Sequence, residues 1–140
     1  MGEVSHRVRV FVYRYEEREP HYLLLRSAQG IEGLWTPVHG PIGFGEQLES
    51  AIRREVMDDI GLTRPEALID LRMPSRWVVG DEEIVEWNFG FHTLPPADVQ
   101  LDRDRWAAHR WAAFPDAYPK LELEFDRAAI MRLHTMLHAA

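Results

Sequence analysis

Cysteine is absent from the 140 residues, which excludes disulfides, thiolate zinc sites and a cysteine nucleophile. Basic residues are also scarce: 16 Lys and Arg stand against 23 Asp and Glu, for a formal net charge of -7. That balance disfavours nucleic-acid polymers and anionic membranes, which call for a basic face. No apolar run is long enough to span a bilayer, and arginines interrupt the early apolar stretch where a secretory signal would lie. We therefore expect a cytoplasmic protein. A phosphate-bearing small molecule is compatible with the negative charge, because a bound divalent cation can offset the local repulsion.

Internal repeats, low-complexity tracts and Ser/Gly-rich linkers are absent as well, while hydrophobic residues make up 46% of the chain. One packed domain over residues 1–140 is the expectation. Hydrophobic alternation and short apolar runs predict strands over residues 4–13, 22–25, 67–73, 84–93 and 110–114. Helical spacing predicts helices over 48–60 and 126–138, and Gly/Pro-rich composition predicts loops over 27–33 and 35–45. Strands on both sides of a central helix indicate a layered α/β domain with a mixed sheet.

The first predicted helix carries an unusual cluster of acidic residues. Glu55, Asp58 and Asp59 fall within an arc of about 100° that borders the apolar stripe. They repel one another and lie near the helix C-terminus, where the macrodipole disfavours negative charge. A compensating positive charge is expected, either from Arg54, which could also pair with Glu46, or from a hard cation such as Mg²⁺. The alternative is a solvated acidic helix end without a ligand.

The glycine-rich loop before this helix adds to the metal interpretation, because its backbone can approach a ligand closely and offer a carbonyl. Together, loop and helix resemble the Nudix box, a pattern that would span residues 40–62. Asp58 and Asp59 occupy the two positions where the pattern has paired glutamates. The matching residues are Gly40, Glu46, Arg54, Glu55, Val56, Gly61 and Leu62. The flanks also fit the family, at residues 22–26, 34–35 and 110–111 and in the helix that starts at Asp126.

This resemblance implies a Nudix hydrolase with an α/β/α sandwich around a central mixed sheet. Its implied reaction is metal-dependent hydrolysis of a diphosphate linkage in a nucleoside triphosphate or related derivative, releasing a monophosphate and pyrophosphate. The amino-acid sequence of the loop resembles that of the family branch that contains bacterial dATP pyrophosphohydrolase, which also cleaves dihydroneopterin triphosphate. Two alternatives stay open. One is a catalytically silent domain that binds a nucleotide-like ligand or partner, and the other is a hydrolase of dinucleoside polyphosphates or nucleotide sugars. A homodimer also stays open.

Residue roles follow from the same resemblance. Glu55 and Asp59 would be the principal ligands of Mg²⁺ or Mn²⁺, Asp58 would assist, and the Gly40 carbonyl would contribute. Glu55 and Asp58 would be the catalytic carboxylates, with Glu55 or a loop residue accepting a proton from water. The Glu46 and Arg54 side chains would brace the loop against the helix.

Two departures from the family pattern affect these roles. Each aspartate is one methylene shorter than glutamate, about 1.5 Å, and Mg²⁺ tolerates poor geometry badly. The acidic residue that many members carry before the late strand falls near Arg105, so Asp104 is our substitute as a metal ligand.

Four further residues are candidate substrate contacts. Trp77, next to Arg76 in a loop-like stretch, and Trp35 offer aromatic surface for a base or pterin. Arg26 follows a strand and could reach a phosphate, although a surface salt bridge explains it equally well. His39 adjoins Gly40 and could assist with phosphate or protons.

Overall fold

The computed structural model describes residues 3–29 and 33–139. The middle of the predicted loop 27–33 therefore lies outside the described residues. The elements, in chain order, are β1 (Val4–Glu16), β2 (Glu19–Ser27), β3 (Trp35–Thr36), β4 (Val38–Pro41), α1 (Leu48–Ile60), β5 (Ala67–Asp70), β6 (Ser75–Val79), β7 (Glu82–His92), β8 (Trp106–Ala113), α2 (Phe114–Lys120) and α3 (Glu124–Leu137).

The strands form one mixed sheet around β1. Its main path is β3-β2-β1-β7-β5, while β4 pairs with β1, β6 with β7 and β8 with β2. The pairing of β1 with β7 is parallel and runs from Val4 opposite Glu83 to Tyr13 opposite His92. The other strand pairs are antiparallel. The predicted mixed sheet is confirmed.

Helices cover both faces of this sheet. On one face, valines of β1 pack with Ile52 and Val56 of α1. On the other, Phe11 and Tyr13 of β1 pack with Leu133 and neighbouring residues of α3. This arrangement confirms the predicted α/β/α sandwich. Both faces are buried because distant helices close over them, which the alternating pattern of the strands alone does not reveal.

Several of the predicted elements need correction. Trp77, predicted to lie in a loop-like stretch, lies in the strand β6, which was not predicted and which pairing with β7 holds extended. The stretch 35–45, predicted to be a loop, contains β3 and β4, because pairing with β2 and β1 holds its short segments extended despite the prolines. The predicted strand 110–114 starts at Trp106, and Phe114 already belongs to α2, with Pro115 in its first turn. The predicted strand 67–73 ends at Asp70. Among the described residues, no helix has the length and apolar character that crossing a membrane requires.

Candidate active site

Helix α1 brings two carboxylates, and not three, to the inside of the fold. The helix begins at Leu48 and ends before Gly61, whose left-handed φ of 76° lets its N–H bond the Met57 carbonyl. Glu55 and Asp59, one turn apart, are 3% and 2% exposed. Asp58 lies on the exposed side of the helix. The three acids predicted to converge are therefore split between the interior and the solvent.

Strand β4 packs directly against the first of these carboxylates. Gly40 pairs with Val8 of β1, and its α-carbon faces α1. A methyl group at Gly40 would overlap the carboxylate of Glu55. The glycine of the predicted box is thus needed here because strand backbone and carboxylate meet without space for a side chain.

The loop between β4 and α1 is held by the predicted pair of Glu46 and Arg54. Arg54 donates from Nε to Glu46 Oε2 at 2.8 Å and from Nη2 to Glu46 Oε1 at 2.9 Å. The Gly43 N–H also donates to Glu46, at 2.8 Å. The bonds from Arg54 and Gly43 lower the pKa of Glu46 to about 2. Arg54 reaches further, from Nη1 to Glu55 Oε1 at 2.8 Å, so it links loop, helix and site.

A second arginine lies between the two buried carboxylates. Arg105 Nη1 donates to Glu55 Oε2 at 3.0 Å and to both carboxylate oxygens of Asp59 at 3.2 Å. Its Nη2 donates to the backbone carbonyl of His39. Asp104, predicted as a ligand, is exposed. The turn before β8 points Arg105 inward, so the guanidinium and not the neighbouring carboxylate reaches the pair.

Burial raises the pKa of Asp59 to about 6, with Glu55 adding to the rise and Arg105 opposing it. His39 shifts in the other direction: burial, together with Arg9, Arg105 and Arg7, lowers its pKa to about 3. The imidazole of His39 is consequently neutral at neutral pH, and Arg7 Nη2 lies 3.2 Å from its Nδ1.

The oxygen atoms around Arg105 decide whether a divalent cation fits the site. Two carboxylates and a backbone carbonyl are oxygen donors of the type that Mg²⁺ and Mn²⁺ accept. Mg²⁺ needs these oxygens at about 2.0–2.1 Å in octahedral geometry, and the Arg105 guanidinium lies among them. In residues 3–29 and 33–139, no three His, Asp or Glu side chains are grouped so that they could hold a metal ion. With Arg105 in this position, the site does not fit a divalent cation.

A cleft of about 960 Å³ opens on the face of the sheet that α3 covers. Glu55 and Asp59 do not line it, because they lie on α1, which packs on the other face. Two predicted substrate contacts, His39 and Trp77, line it. The other two are absent from its lining among the described residues: Arg26 is exposed, with its guanidinium carbon 5.6 Å from the centre of the Trp35 ring. Other lining residues are Arg7, Arg9, Thr36, Ile84, Glu86, Trp106, Leu123 and Phe125.

The floor of this cleft is a buried ionic network that the sequence patterns did not reveal. Arg9 donates from Nε and Nη2 to the two carboxylate oxygens of Asp126 at 2.8 and 2.7 Å. Its Nη1 donates to Glu86 at 3.2 Å, and Trp77 Nε1 donates to the other oxygen of Glu86 at 3.2 Å. The Phe125 ring lies 4.9 Å from the Arg9 guanidinium carbon. The sequence signal for this network was that Arg9 and Glu86 each lie among the alternating hydrophobic residues of a long strand.

The family assignment comes from a match over most of the chain: residues 5–133 match the NUDIX domain. The chain belongs to the Nudix family. The resemblance of residues 40–62 is thereby confirmed at the level of the family. The match also supports the predicted enzyme class. Nudix hydrolases generally use a divalent metal.

Known proteins resemble this Nudix chain in sequence or in fold. An octanoyltransferase of Myxococcus xanthus is 30% identical over 129 residues, which cover 89% of this chain and 35% of the relative, so the chain spans about a third of that protein. The C. elegans Ap4A hydrolase, in a binary complex, superposes with a TM-score of 0.79 at 19% identity, covering 97% of this chain and 99% of that one. The E. coli dihydroneopterin triphosphate pyrophosphohydrolase gives 0.79 at 18% identity, with 94% and 95% coverage. The two structural likenesses establish the Nudix fold.

Proposed function

We propose that this Nudix domain hydrolyses a diphosphate linkage in a nucleoside triphosphate or a related nucleoside diphosphate derivative, releasing a monophosphate and pyrophosphate. The observation that carries the proposal is the buried pair of carboxylates, Glu55 and Asp59, packed against the Gly40 backbone within the segment that matches the Nudix domain. The names of the C. elegans and E. coli structural neighbours, an Ap4A hydrolase and a triphosphate pyrophosphohydrolase, support the same substrate class. A pterin triphosphate is included in it.

The cleft offers separate surfaces for the two parts of such a substrate. Trp77 is 39% exposed and, with Phe125, provides aromatic surface against which a base or pterin ring can pack. Arg7, whose side chain is 28% exposed, provides positive charge for phosphate on the side of His39. Arg26 and Trp35 stay predictions for a ligand that extends beyond the cleft.

Glu55 is the carboxylate that we expect to accept a proton from the attacking water. Both of its oxygens are engaged in hydrogen bonds, Oε1 with Arg54 and Oε2 with Arg105. Release of Oε2 by Arg105 is therefore a condition for this role. Asp58, on the exposed side, stays a prediction as a helper.

The test is a hydrolysis screen of purified protein with nucleoside triphosphates, dinucleoside polyphosphates, nucleotide sugars and dihydroneopterin triphosphate. Each substrate is run with Mg²⁺, with Mn²⁺ and with a chelator, and products are separated by chromatography. Glu55→Gln should abolish turnover of the active substrate. Glu49→Gln, on the exposed side of the same helix, is the matched control and should retain it. Equal activity in the wild type and in Glu55→Gln would refute the assigned role.

A second candidate function is ligand binding without turnover, and the position of Arg105 between the carboxylates favours it. In that case a nucleotide should raise the midpoint of thermal unfolding while no product forms. The same panel separates the two functions, since product formation identifies the enzyme. The proposed homodimer is checked by light scattering on the same preparation, and the proposed cytoplasmic location by fractionation of cells.

A further inference from the structure

Arg105 is positioned by the backbone of its own segment. The segment on either side of Leu101 is hydrogen-bonded to the end of α1. The Gln100 N–H donates to the Ile60 carbonyl at 2.9 Å, and the Asp102 N–H donates to the Asp59 carbonyl at 3.0 Å. A turn follows, in which the N–H groups of Arg105 and Trp106 donate to the Asp102 carbonyl at 3.1 and 2.8 Å. The segment that carries Arg105 is thus bonded to the helix that carries the carboxylates.

The contacts of the guanidinium satisfy charges that are otherwise costly to bury. Glu55 and Asp59 are almost fully excluded from solvent, and a buried carboxylate needs a hydrogen-bonded partner. Arg105 donates to three of their four oxygens, and Arg54 donates to the fourth. Each oxygen of the pair therefore has a cationic donor from the chain itself.

Arg105 also keeps a path to solvent. Its side chain is 33% exposed, against 4% and 3% for the side chains of Glu55 and Asp59. The guanidinium carbon lies 5.2 Å from the centre of the Trp106 ring, within the range of a cation–π contact. The arginine can consequently leave the pair without opening the core, whereas the carboxylates cannot.

We propose that Arg105 is the resident cation of the Glu55–Asp59 pair: it supplies the positive charge between the two carboxylates and excludes divalent cations until its side chain is withdrawn. A divalent ion and the guanidinium require the same oxygens, so their binding is competitive. The proposal rests on the proposed function only for its consequence, that turnover requires displacement of Arg105. Metal binding is measured without turnover, so either proposal can fail alone.

The test is an equilibrium titration with Mn²⁺, in which electron paramagnetic resonance reports the free ion. Wild type should bind Mn²⁺ at the pair at least about tenfold more weakly than Arg105→Ala, which should bind one ion. Arg103→Ala is the matched control, because Arg103 lies exposed two residues away, and it should behave as wild type. Asp59→Asn added to Arg105→Ala should remove the new site.

Two results would overturn the proposal. One is a wild-type protein that binds one Mn²⁺ as tightly as Arg105→Ala does, at a site that Asp59→Asn removes. The other is a folded Arg105→Ala protein that binds none. If that variant does not fold, Arg105→Met keeps the aliphatic stem over Trp106 and replaces it in the titration. The comparison of wild type with Asp59→Asn needs neither variant and is decisive for the first result.

Discussion

Replacing Asp126 with Asn should be among the most damaging single changes in this fold. Asp126 is fully buried at the start of α3 and accepts two hydrogen bonds from Arg9, at 2.8 and 2.7 Å. Asparagine keeps the size and one acceptor oxygen, but its amide N–H₂ would face the guanidinium donor. Arg9, 4% exposed, would keep one bond to the remaining amide oxygen, and its remaining carboxylate partner would be Glu86, at 3.2 Å.

The magnitude follows from this geometry. One charge-assisted hydrogen bond is lost, worth about 1.5–3 kcal/mol, and a buried cation is left undercompensated. Breaking a buried ion pair from one side typically costs about 3–5 kcal/mol, and the remaining contact with Glu86 puts the expectation near 3 kcal/mol. With a urea m-value of at most about 3 kcal/mol/M, the unfolding midpoint should fall by at least about 1 M.

The assay is urea unfolding followed by tryptophan fluorescence and by circular dichroism, with coincident transitions as the condition for a two-state fit. Glu49→Gln is the control, since its partner Arg53 forms an exposed pair four residues along the same helix, at 2.9 Å. It should lose no more than about 0.5 kcal/mol. If Asp126→Asn lost no more than this control, the network would not stabilise the fold and the argument would be wrong.

Other predictions address packing and pH. Gly40→Ala should displace the Glu55 carboxylate and weaken any activity more than it lowers stability, as measured by turnover and thermal melts of one preparation. Gly90→Ala would put a methyl 2.8 Å from Leu133 Cδ1 and should cost about 1–3 kcal/mol in urea unfolding, and a second change, Leu133→Ala, should relieve this overlap. Burial lowers the pKa of His134 below its usual 6.5, so the unfolded chain binds this proton more readily. The neutral His134 therefore contributes its full stability above pH 6.5, and this contribution is lost as the pH falls towards the folded pKa. In His134→Gln, the urea midpoint should depend less steeply on pH over that range. An unchanged slope of midpoint against pH would contradict the assignment.

Helix α1 and the Nudix resemblance were predictable because the residues that determine them lie close together in the sequence. The spacing of Leu48, Ile52, Val56 and Ile60 and the stop at Gly61 predicted the bounds that α1 has. The strands β3 and β4 were not predictable in this way. They are too short to show a period, and only their pairing with strands from elsewhere in the chain holds them extended.

The site was predictable in part, for a related reason. The acidic cluster that contains Glu55 and Asp59, and the pair of Glu46 and Arg54, were predicted from positions close in sequence, whereas the outward direction of Asp58 was not. Arg105 lies 46 residues from Asp59, and no periodicity connects them. The predicted cluster of three acids on α1 called for a compensating cation. Arg105 could not be identified as its source from the sequence, because the turn before β8 meets the end of α1 only in the folded chain.

The parallel pairing of β1 and β7 also constrains how the chain folds. β1 lies at the centre of the sheet, yet its neighbour β7 starts only at Glu82. During synthesis at about 5–20 residues per second, β1 and β2 leave the ribosome several seconds before β7. A hairpin of β1 and β2 formed before that time would have an open apolar edge beside β1, which is a hazard for aggregation. A nascent chain stalled before Glu82 should therefore be the form most dependent on chaperones.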